Sequence, residues 1–508
     1  MTNLYDALGV PTAAPDRIFA WLPEGKEITY ADLAANSARY ANAMAECGVK
    51  PGDRVAVQAE KCIEMLFIYL ASLRLGAVFL PANPAYTLRE LEHILRDAEP
   101  ALLVCAPETR AELEGEETVS GLRIETLDSS GGGSLAELAA RSSESFVTCE
   151  RAGDDLAALL YTSGTTGRPK GVMLTHGNLA SNAFTLKECW AFASDDRLLH
   201  ALPIFHTHGL FVATNVTLAA GASLIFLPRF SLPEVLDALG RATVMMGVPT
   251  FYIRLLGEPA FDRDKAASVR LFISGSAPLS ADVHREFAER TGHAILERYG
   301  MTETNMNTSN PYRGERRAGT VGFPLPGVSI RITDLESGRL MEPGEVGMIE
   351  IAGPNVFKGY WNMPEKSAEE FRGEYFISGD LGLIDEDGYV HIVGRGKDLI
   401  ISGGFNIYPA EVEEAIDEIP QVRESAVIGV PHPDLGEGVI AVVAPMDKGF
   451  ADVSALEEAL AGKLARFKQP RKFAFVDELP RNAMGKIQKA VLRERFADAF
   501  AHSEEHSL

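Results

Sequence analysis

The sequence predicts an α/β protein with a large N-terminal domain, residues 1–396, of layered mixed and parallel sheets with flanking helices, and a small hinged α+β domain, residues 397–508. Three observations lead to this prediction. The 508 residues are too many for one hydrophobic core. Short apolar runs alternate with helical patterns over most of the chain, which is the arrangement that builds parallel sheets. After Gly394 the alternation gives way to a shorter mixture of strands and helices, of ordinary domain size.

Helix and strand signals are clear in the first part of the chain. Thr29 and Thr87 stand as capping residues before apolar residues at helical spacing, and Gly76 ends a second apolar helix. The predicted helices are 28–49, 63–75 and 88–97, and the predicted strands are 54–58, 78–80 and 101–105. The polar stretch 128–134, DSSGGGS, is predicted to be a loop.

Further elements follow along the chain. Buried strands are predicted at 156–160, 224–227, 243–248 and 271–274, with a helix over 177–187. The C-terminal domain is predicted to contain helices 411–419 and 454–465 and strands 425–430 and 439–443. Two glycines and three charged residues lie between Gly394 and Asp398, and we expect the hinge at Lys397.

Composition excludes several classes of function. The chain is 46% hydrophobic and 23% charged, as in ordinary globular proteins. Its net charge of −23 argues against binding to nucleic acid or to an anionic membrane, because both need basic faces. Five scattered cysteines without a C-x-x-C pair favour a reducing compartment and no metal cluster. No signal-peptide pattern or membrane-length apolar stretch is present, so we expect a cytoplasmic protein, either a monomer or a homodimer.

The stretch 161–171, YTSGTTGRPKG, has the composition of a phosphate-binding loop and directly follows a predicted strand. Glycines let backbone N–H groups approach a polyphosphate, hydroxyls add donors, and lysine adds a mobile charge. The candidate phosphate ligands are Thr162, Ser163, Gly164, Thr165, Thr166, Gly167 and Lys170. Arg168 and Pro169 break the Walker A spacing, which disfavours an ordinary P-loop NTPase. Taken alone, the stretch would also fit a polar surface turn.

Two other motifs exclude alternatives. His206 and His208 in FHTHG are spaced i, i+2 without a third nearby ligand, which disfavours a zinc site; they could instead make backbone hydrogen bonds in a loop at a helix start. The segment 274–278, SGSAP, ends a predicted strand, where open α/β sheets bind ligands. No glycine lies two residues after Ser276, so a serine hydrolase elbow is not supported.

Taken in order, the motifs resemble those of the adenylate-forming superfamily, which includes acyl-CoA synthetases, luciferases and peptide-synthetase adenylation domains. The matching segments are YTSGTTGRPKG, SGSAP, ERYGMTETNMNTS at 297–309, FISGDLG at 376–382, VGRGKDLIISGGFNIYPAEVE at 393–413 and PRNAMGKIQK at 480–489. The resemblance implies that ATP converts a carboxylic acid to an acyl adenylate with release of pyrophosphate. The thiol of coenzyme A then displaces AMP.

The resemblance also implies roles for single residues. Nucleotide contacts would come from Ser276, Ala277, Pro278, Glu297, Tyr299, Gly300 and Met301. Thr302 would contact the α-phosphate, and Glu303 would bind Mg²⁺, which prefers few carboxylates together with phosphate oxygens. Asp380 would hold the ribose with help from Arg395, although an Asp–Arg ion pair at a turn is the alternative.

The small domain would act as a mobile lid. Lys486, in an otherwise basic turn, would be the catalytic lysine. Its positive charge would be needed while pyrophosphate departs and not afterwards. Rotation about Lys397 would then remove it and open a channel for the coenzyme A thiol beside Gly403 and Gly404.

The acid pocket is predicted from three segments, FHTHGLF at 205–211, GVPTFYIRLL at 247–256 and ERYGMTETNMNTS, which resemble those of superfamily members that activate malonate. The resemblance puts His206 at the pocket wall and Thr207 and Met306 beside C2 of the acid. Independently, Arg298 and Arg254 fall in these segments, and a buried guanidinium there makes sense only if a second carboxylate pairs with it. The alternatives are an Arg298–Glu297 pair and a solvent-facing Arg254.

Three rival functions share the nucleotide motifs. An adenylation enzyme could load a carrier protein, and a luciferase-like oxygenase could use the same first step, although nothing in the sequence calls for oxygen chemistry. A non-catalytic ATP-binding regulator is disfavoured, because Lys486 and Glu303 are both present and binding alone needs neither. Malonate is the predicted acid, although the sequence does not settle malonate against methylmalonate or other short diacids. An acyl-CoA synthetase for another short acid is the alternative.

Overall fold

The computed structural model describes residues 3–162, 169–403, 405–447, 449–461, 463–482 and 485–500. The chain divides into two compact units. The first contains Met1–Ile330 and Ile351–Phe376, and the second contains Arg331–Glu350 and Ile377–Leu508. The second unit thus includes segments that the sequence analysis assigns to the large domain, and the functional boundary at 396/397 stays a prediction.

Two sheets dominate the first unit. One has six strands in the order Arg123–Thr126, Leu102–Cys105, Arg54–Gln58, Val78–Pro81, Leu156–Thr162 and Lys170–Thr175. The other has nine, in the order Phe323–Pro324, Asn305–Ser309, Leu296–Met301, Leu271–Ser274, Val244–Gly247, Arg197–His200, Ser223–Phe226, Ile18–Trp21 and Glu27–Thr29. Both contain runs of parallel strands, with antiparallel strands at both edges of the nine-stranded sheet and at one edge of the six-stranded sheet, which confirms the predicted mixed and parallel layers.

Helices flank these sheets. In the described part of the first unit the α-helices are Leu4–Ala7, Tyr30–Glu46, Ile63–Leu75, Leu88–Ala98, Pro107–Leu113, Ser134–Arg141, His176–Cys189, Asn215–Ala220, Leu232–Leu239, Pro249–Leu256, Arg263–Ala266, Ala281–Thr291 and Pro364–Glu369. Thr29 and Thr87 form the predicted N-caps, and each completes a capping box. Gly76 ends its helix in the left-handed conformation at φ +73°. The helix Ile63–Leu75 is buried almost all round, because its apolar residues cover every face.

The second unit has its own sheet and hydrophobic core. Phe405–Ile407, Ile400–Ser402, Gly436–Pro445 and Val422–His432 lie in this order, and Lys472–Phe475 pairs with Gly436–Pro445. The helices Pro409–Asp417, Val453–Ala461 and Lys489–Arg495 belong to this unit. This mixture of strands and helices confirms the α+β character predicted for the C-terminal part of the chain.

A further five-stranded sheet contains the points at which the chain passes from one unit to the other. Its strands are Ser329–Thr333, Gly347–Ala352, Tyr375–Ile384 and Phe371–Arg372 in this order, and Val390–Arg395 pairs with Tyr375–Ile384. The helix predicted at 454–465 ends earlier, at Ala461, and the loop predicted at 128–134 ends one residue earlier, because Ser134 begins a helix. Among the described residues, no helix has the length and apolarity needed to cross a lipid bilayer.

Candidate active site

The candidate site lies at the carboxyl ends of parallel strands in the nine-stranded sheet. Val244–Gly247 pairs with Leu271–Ser274, which pairs with Leu296–Met301, and Ser274 lies opposite Glu297. This register brings Gly275 beside Arg298. The carboxyl edge of such a sheet is where α/β proteins bind ligands, and it is where the sequence predicted the nucleotide and acid contacts.

Arg298 is buried, and its guanidinium lies against the backbone of Gly275. A Cβ atom on Gly275 would stand 2.3 Å from Cζ of Arg298, so only glycine leaves room for the side chain. The Nε and Nη2 atoms are buried and have no hydrogen-bond partner among the described residues. Burial lowers the pKa of Arg298 to about 9, which leaves the group cationic at neutral pH. The site therefore presents buried donors that need an acceptor.

Glu297 does not pair with Arg298. Successive side chains of a strand point to opposite faces, and Glu297 accepts a hydrogen bond from the backbone N–H of Leu279 at 3.1 Å. Its other oxygen, Oε2, is buried and also without a partner in the described parts of the chain. Burial raises the pKa of Glu297 to about 8, so the carboxyl is largely protonated at neutral pH. Glu297 and Arg298 are thus not joined by a hydrogen bond in the described structure, although the charge of each still influences the pKa of the other.

His208 lies beside Arg298, which the sequence analysis did not predict. Its Nδ1 lies 3.1 Å from Oγ of Ser276, whose backbone has the left-handed φ of +72° that is uncommon outside glycine. Burial, together with the nearby charges of Arg298 and His206, holds the pKa of His208 well below its usual range. Nε2 of His208 and Oγ1 of Thr207 are buried without a partner in the residues described. The predicted wall residue His206 is half-buried and close enough to His208 to affect that pKa.

A π-helix, His208–Thr214, fixes the position of His208. The carbonyl of Gly209 lies 2.9 Å from Nε2 of His200 and accepts a hydrogen bond from Oγ1 of Thr214 at 3.0 Å. A Cβ on Gly209 would stand 2.0 Å from the carbonyl oxygen of Pro203. Lys61, which no sequence motif singled out, is buried and donates to the carbonyl of His200 at 2.8 Å. Wide turns of this kind are frequent at functional sites.

The segment ERYGMTETNMNTS forms a tight hairpin. The strands Leu296–Met301 and Asn305–Ser309 are antiparallel, and a Cβ on Gly300 would stand 1.9 Å from the carbonyl oxygen of Asn305. Met306 is buried, with its Cε 2.5 Å from the same position. Thr302 and Glu303 lie at the turn, where Glu303 is buried and Thr302 is half-buried.

The other residues predicted to contact the nucleotide differ in their exposure to solvent. Ala277, Tyr299 and Met301 are half-buried, while Pro278 is exposed. Half-buried side chains at a sheet edge can still contact a ligand, so their roles stay predictions.

The phosphate loop itself, residues 163–168, lies outside the described residues. On either side of this segment, Thr162 and Lys170 lie opposite each other in an antiparallel pair of strands. Nζ of Lys170 lies 3.4 Å from Oε1 of Glu370 and 4.1 Å from the ring centre of Tyr360. The hydroxyl of Tyr360 donates to Oε1 of Glu303 at 3.1 Å.

Arg254 does not share the environment of Arg298. It is exposed on the helix Pro249–Leu256, and its guanidinium lies 5.8 Å from the ring centre of Phe230. Tyr252, two residues earlier, faces the core, and two residues turn a helix by about 200°. The predicted contribution of Arg254 to acid binding stays a prediction that its exposed position does not favour.

The remaining predicted residues belong to the second unit. Asp380 is buried and lies opposite Arg395 in an antiparallel pair of strands, with Oδ1 2.6 Å from Nε of Arg395. The ion-pair alternative is therefore present, and binding of ribose by Asp380 stays a prediction. Lys397 lies in a short turn, where burial lowers its pKa. Gly403 adopts φ +57°, and Gly404 lies outside the described residues.

Lys486 is exposed in a turn of the second unit. The backbone N–H of Asn482 donates to the carbonyl of Lys486 at 2.9 Å, and Oδ1 of Asn482 accepts from the backbone N–H of Lys486 at 3.0 Å. The backbone of Lys486 is thus held by two hydrogen bonds to Asn482.

The residues present fit a magnesium ion bound together with a polyphosphate. No cluster of three or more histidine, cysteine or carboxylate side chains suited to a metal occurs in the described part of the chain. Glu303 offers one hard carboxylate, whose Oε1 accepts a hydrogen bond from the hydroxyl of Tyr360. Magnesium typically takes one or two carboxylates plus phosphate oxygens and water, so a single carboxylate near a phosphate loop is the expected donor set.

Family models match both parts of the chain. The AMP-binding enzyme model matches residues 10–361, and the model of the AMP-binding enzyme C-terminal domain matches residues 411–486. The chain belongs to the AMP-binding enzyme family of the adenylate-forming superfamily. Within that superfamily it is an AMP-forming acyl-CoA ligase.

Three similar proteins illustrate the range of acids named for relatives of this chain. A feruloyl-CoA synthase from Amycolatopsis is 40% identical, with 93% of this chain and 94% of that protein covered. A malonate–CoA ligase from Arabidopsis thaliana is 36% identical, with 88% and 78% covered. The crystal structure of ATP-bound MatB from Rhodopseudomonas palustris is 57% identical with a TM-score of 0.96, and 98% of this chain and 99% of that chain are covered.

Proposed function

We propose that this protein joins a short dicarboxylic acid, malonate or its close relative methylmalonate, to coenzyme A through an acyl adenylate, with release of pyrophosphate and then AMP. The choice of acid rests on the buried Nε and Nη2 atoms of Arg298, which have no hydrogen-bond partner among the described residues. A distal carboxylate supplies the acceptor that Nε and Nη2 need, in a charge-assisted contact.

The neighbours of Arg298 support a small acid. His208 is close enough to Arg298 for the guanidinium to lower its pKa, and its Nδ1 lies 3.1 Å from Oγ of Ser276. Nε2 of His208 is a further buried polar atom without a partner among the described residues. Thr207 and Met306 would bound the space around C2. An aromatic acid of the kind named for the 40% identical relative has no second carboxylate, so it would leave the guanidinium buried and unpaired.

The first half-reaction requires an anion-binding surface. The reacting carboxylate oxygen attacks the α-phosphorus, the bond to the β-phosphate oxygen breaks, and pyrophosphate leaves. Thr162 and Lys170 would bind the polyphosphate, and Thr302 would contact the α-phosphate. Magnesium held by Glu303 would neutralise part of the phosphate charge. Support for ATP as the nucleotide comes from the ATP-bound structure of the 57% identical relative.

The second half-reaction needs less positive charge around the phosphates, because no pyrophosphate leaves in it. The thiolate of coenzyme A attacks the acyl carbon, and AMP leaves with the bonding electrons. We assign Lys486 to the first half-reaction only, on the family resemblance, since its charge is useful while pyrophosphate departs.

One experiment tests the proposed function. Pyrophosphate release from ATP is measured across a panel of malonate, methylmalonate, succinate, acetate, butyrate and ferulate, each with and without coenzyme A. We expect the largest kcat/KM for malonate or methylmalonate and free acyl-CoA as the product. A preference for ferulate or butyrate would refute the dicarboxylate assignment, and adenylate without acyl-CoA would indicate a carrier protein as the acceptor.

Gly275→Ala tests the acid pocket through the backbone. The new methyl group must displace the guanidinium of Arg298, because its position lies 2.3 Å from Cζ. A displacement of about 1 Å at a binding group costs roughly 100-fold, so we expect kcat/KM for malonate to fall by about this factor with little change for butyrate. Gly240→Ala is the matched control, since nothing lies within 4 Å of its Cβ position. Equal losses for both acids would contradict a specific effect on Arg298.

Glu303→Gln tests the magnesium assignment. Loss of an anionic ligand is expected to raise the Mg²⁺ concentration for half-maximal adenylation at least about 10-fold. Substituting a residue that only hydrogen-bonds to a metal ligand already lowers metal affinity about 10- to 100-fold. Excess Mg²⁺ should restore part of the rate. Initial rates across a Mg²⁺ titration provide the measurement, with Glu286→Gln, whose partner is Arg290 on the same exposed helix, as the control. Full activity at limiting Mg²⁺ would show that Glu303 is not a ligand.

A further inference from the structure

The segment that contains Tyr360 is hydrogen-bonded to the strand that follows the phosphate loop. The N–H of Trp361 donates to the carbonyl of Gly171 at 2.7 Å, and the N–H of Met173 donates to the carbonyl of Gly359 at 3.0 Å. Tyr360 and Val172 thereby form an antiparallel bridge. The backbone of Tyr360 is thus fixed to the strand that begins at Lys170.

The same segment is also attached to the hairpin that carries Glu303. The N–H of Phe357, three residues before Tyr360, donates to the carbonyl of Glu303 at 2.7 Å. The ring of Phe357 packs edge-to-face against Tyr360 with ring centres 4.9 Å apart. These contacts place the Tyr360 side chain between two parts of the candidate site that are far apart in sequence.

The buried Tyr360 side chain uses both of its chemical features. Its hydroxyl donates to Oε1 of Glu303 at 3.1 Å, and its ring face lies 4.1 Å from Nζ of Lys170. A hydrogen bond restricts the orientation of a carboxylate, and an aromatic face attracts an ammonium ion. Glu370, with Oε1 3.4 Å from Nζ, holds Lys170 from the side.

We propose that Tyr360 is a positioning residue that holds the Glu303 carboxylate in the orientation for Mg²⁺ and the Lys170 ammonium in the orientation for the polyphosphate. This inference rests on the proposed function, in which Glu303 and Lys170 bind Mg²⁺ and ATP. It adds a single side chain through which the two binding groups are coupled, and it assigns no chemical step to Tyr360.

Two variants separate the two roles. Tyr360→Phe keeps the ring and removes the hydroxyl, so ATP affinity with Mg²⁺ should fall by about 10- to 100-fold while ATP affinity in EDTA stays unchanged. Tyr360→Leu also removes the aromatic face, so ATP affinity in EDTA should fall by a further factor of about 2 to 30. Calorimetric titration of ATP without any acid substrate measures both affinities without turnover.

Tyr375→Phe is the matched control, because its hydroxyl lies 3.0 Å from Oγ of Ser329, outside the candidate site, and its loss should leave both affinities unchanged. A combined Tyr360→Phe, Glu303→Gln variant should bind ATP with Mg²⁺ about as Glu303→Gln alone does, since the hydroxyl acts through Glu303.

The outcomes distinguish this inference from the proposed function. If the wild-type protein binds ATP equally with and without Mg²⁺, the magnesium assignment fails and the inference with it. If the wild type depends on Mg²⁺ and Tyr360→Phe matches it, or loses affinity equally in EDTA, the inference alone is overturned. Additive losses in the combined variant would likewise overturn it, since they would show a merely structural role. A Leu variant that matches the Phe variant in EDTA would overturn the role of the ring.

Discussion

Arg298→Ala is expected to lower kcat/KM for malonate by roughly 30-fold to several thousand-fold. Removing one partner of a buried hydrogen-bonded charge pair costs on the order of 2–5 kcal/mol. The structure supplies the physical basis, since Nε and Nη2 of Arg298 are buried and lack other partners among the described residues. Butyrate should lose much less, because it never made the contact.

Steady-state kinetics with malonate and butyrate under one set of conditions measure this difference. Arg298→Lys keeps the charge but loses the planar fork, so it should fall between the wild type and the alanine variant. Arg254→Ala tests the predicted second arginine, and its exposed position over Phe230 leads us to expect a small effect. Equal fractional losses for both acids in Arg298→Ala would show that Arg298 is structural, and the choice of a dicarboxylate would then rest on similarity alone.

Lys486→Ala is expected to reduce adenylate formation by about 100- to 1000-fold, the range found when one group that stabilises developing charge is removed. The thioester step from preformed acyl adenylate should be spared, because no pyrophosphate leaves in it. Because Lys486 is exposed, we expect its substitution to leave the fold intact.

The measurement is the rate of each half-reaction, from pyrophosphate release and from acyl-CoA formation with supplied acyl adenylate. Lys463→Ala is the matched control, because this lysine belongs to the same unit and its side chain makes a surface ion pair with Glu418, which contributes little to stability. Equal losses in both half-reactions would contradict the assignment of Lys486 to the first.

Much of the fold could be predicted because its signals are local. Thr29 and Thr87 cap helices through residues three positions away, and Gly76 ends a helix through its own backbone conformation. Each signal is confined to a few consecutive residues, so no knowledge of distant contacts is needed. The mixed sheets followed from the same kind of evidence, the alternation of strands and helices.

Parts of the site could not be predicted, because they depend on contacts between distant segments. The sequence allowed a direct Glu297–Arg298 pair, whereas in the structure Glu297 accepts a hydrogen bond from the backbone of Leu279 and Arg298 lies against Gly275. His208 lies 68 positions from Ser276, its hydrogen-bond partner. No sequence motif singled out Tyr360, which lies 57 positions from Glu303.

The sequence by itself determined the family and the kind of chemistry, because the segments that resemble the family's motifs, such as YTSGTTGRPKG and PRNAMGKIQK, are runs of neighbouring residues. The tertiary structure alone decided which charged groups stay unpaired. Both arginines lie in segments predicted to form the acid pocket. In the structure, however, Arg298 is buried against Gly275, whereas Arg254 is exposed over the ring of Phe230. The reason is physical: strand register and helix rotation set the direction of each side chain, and burial then decides whether its charge needs a ligand.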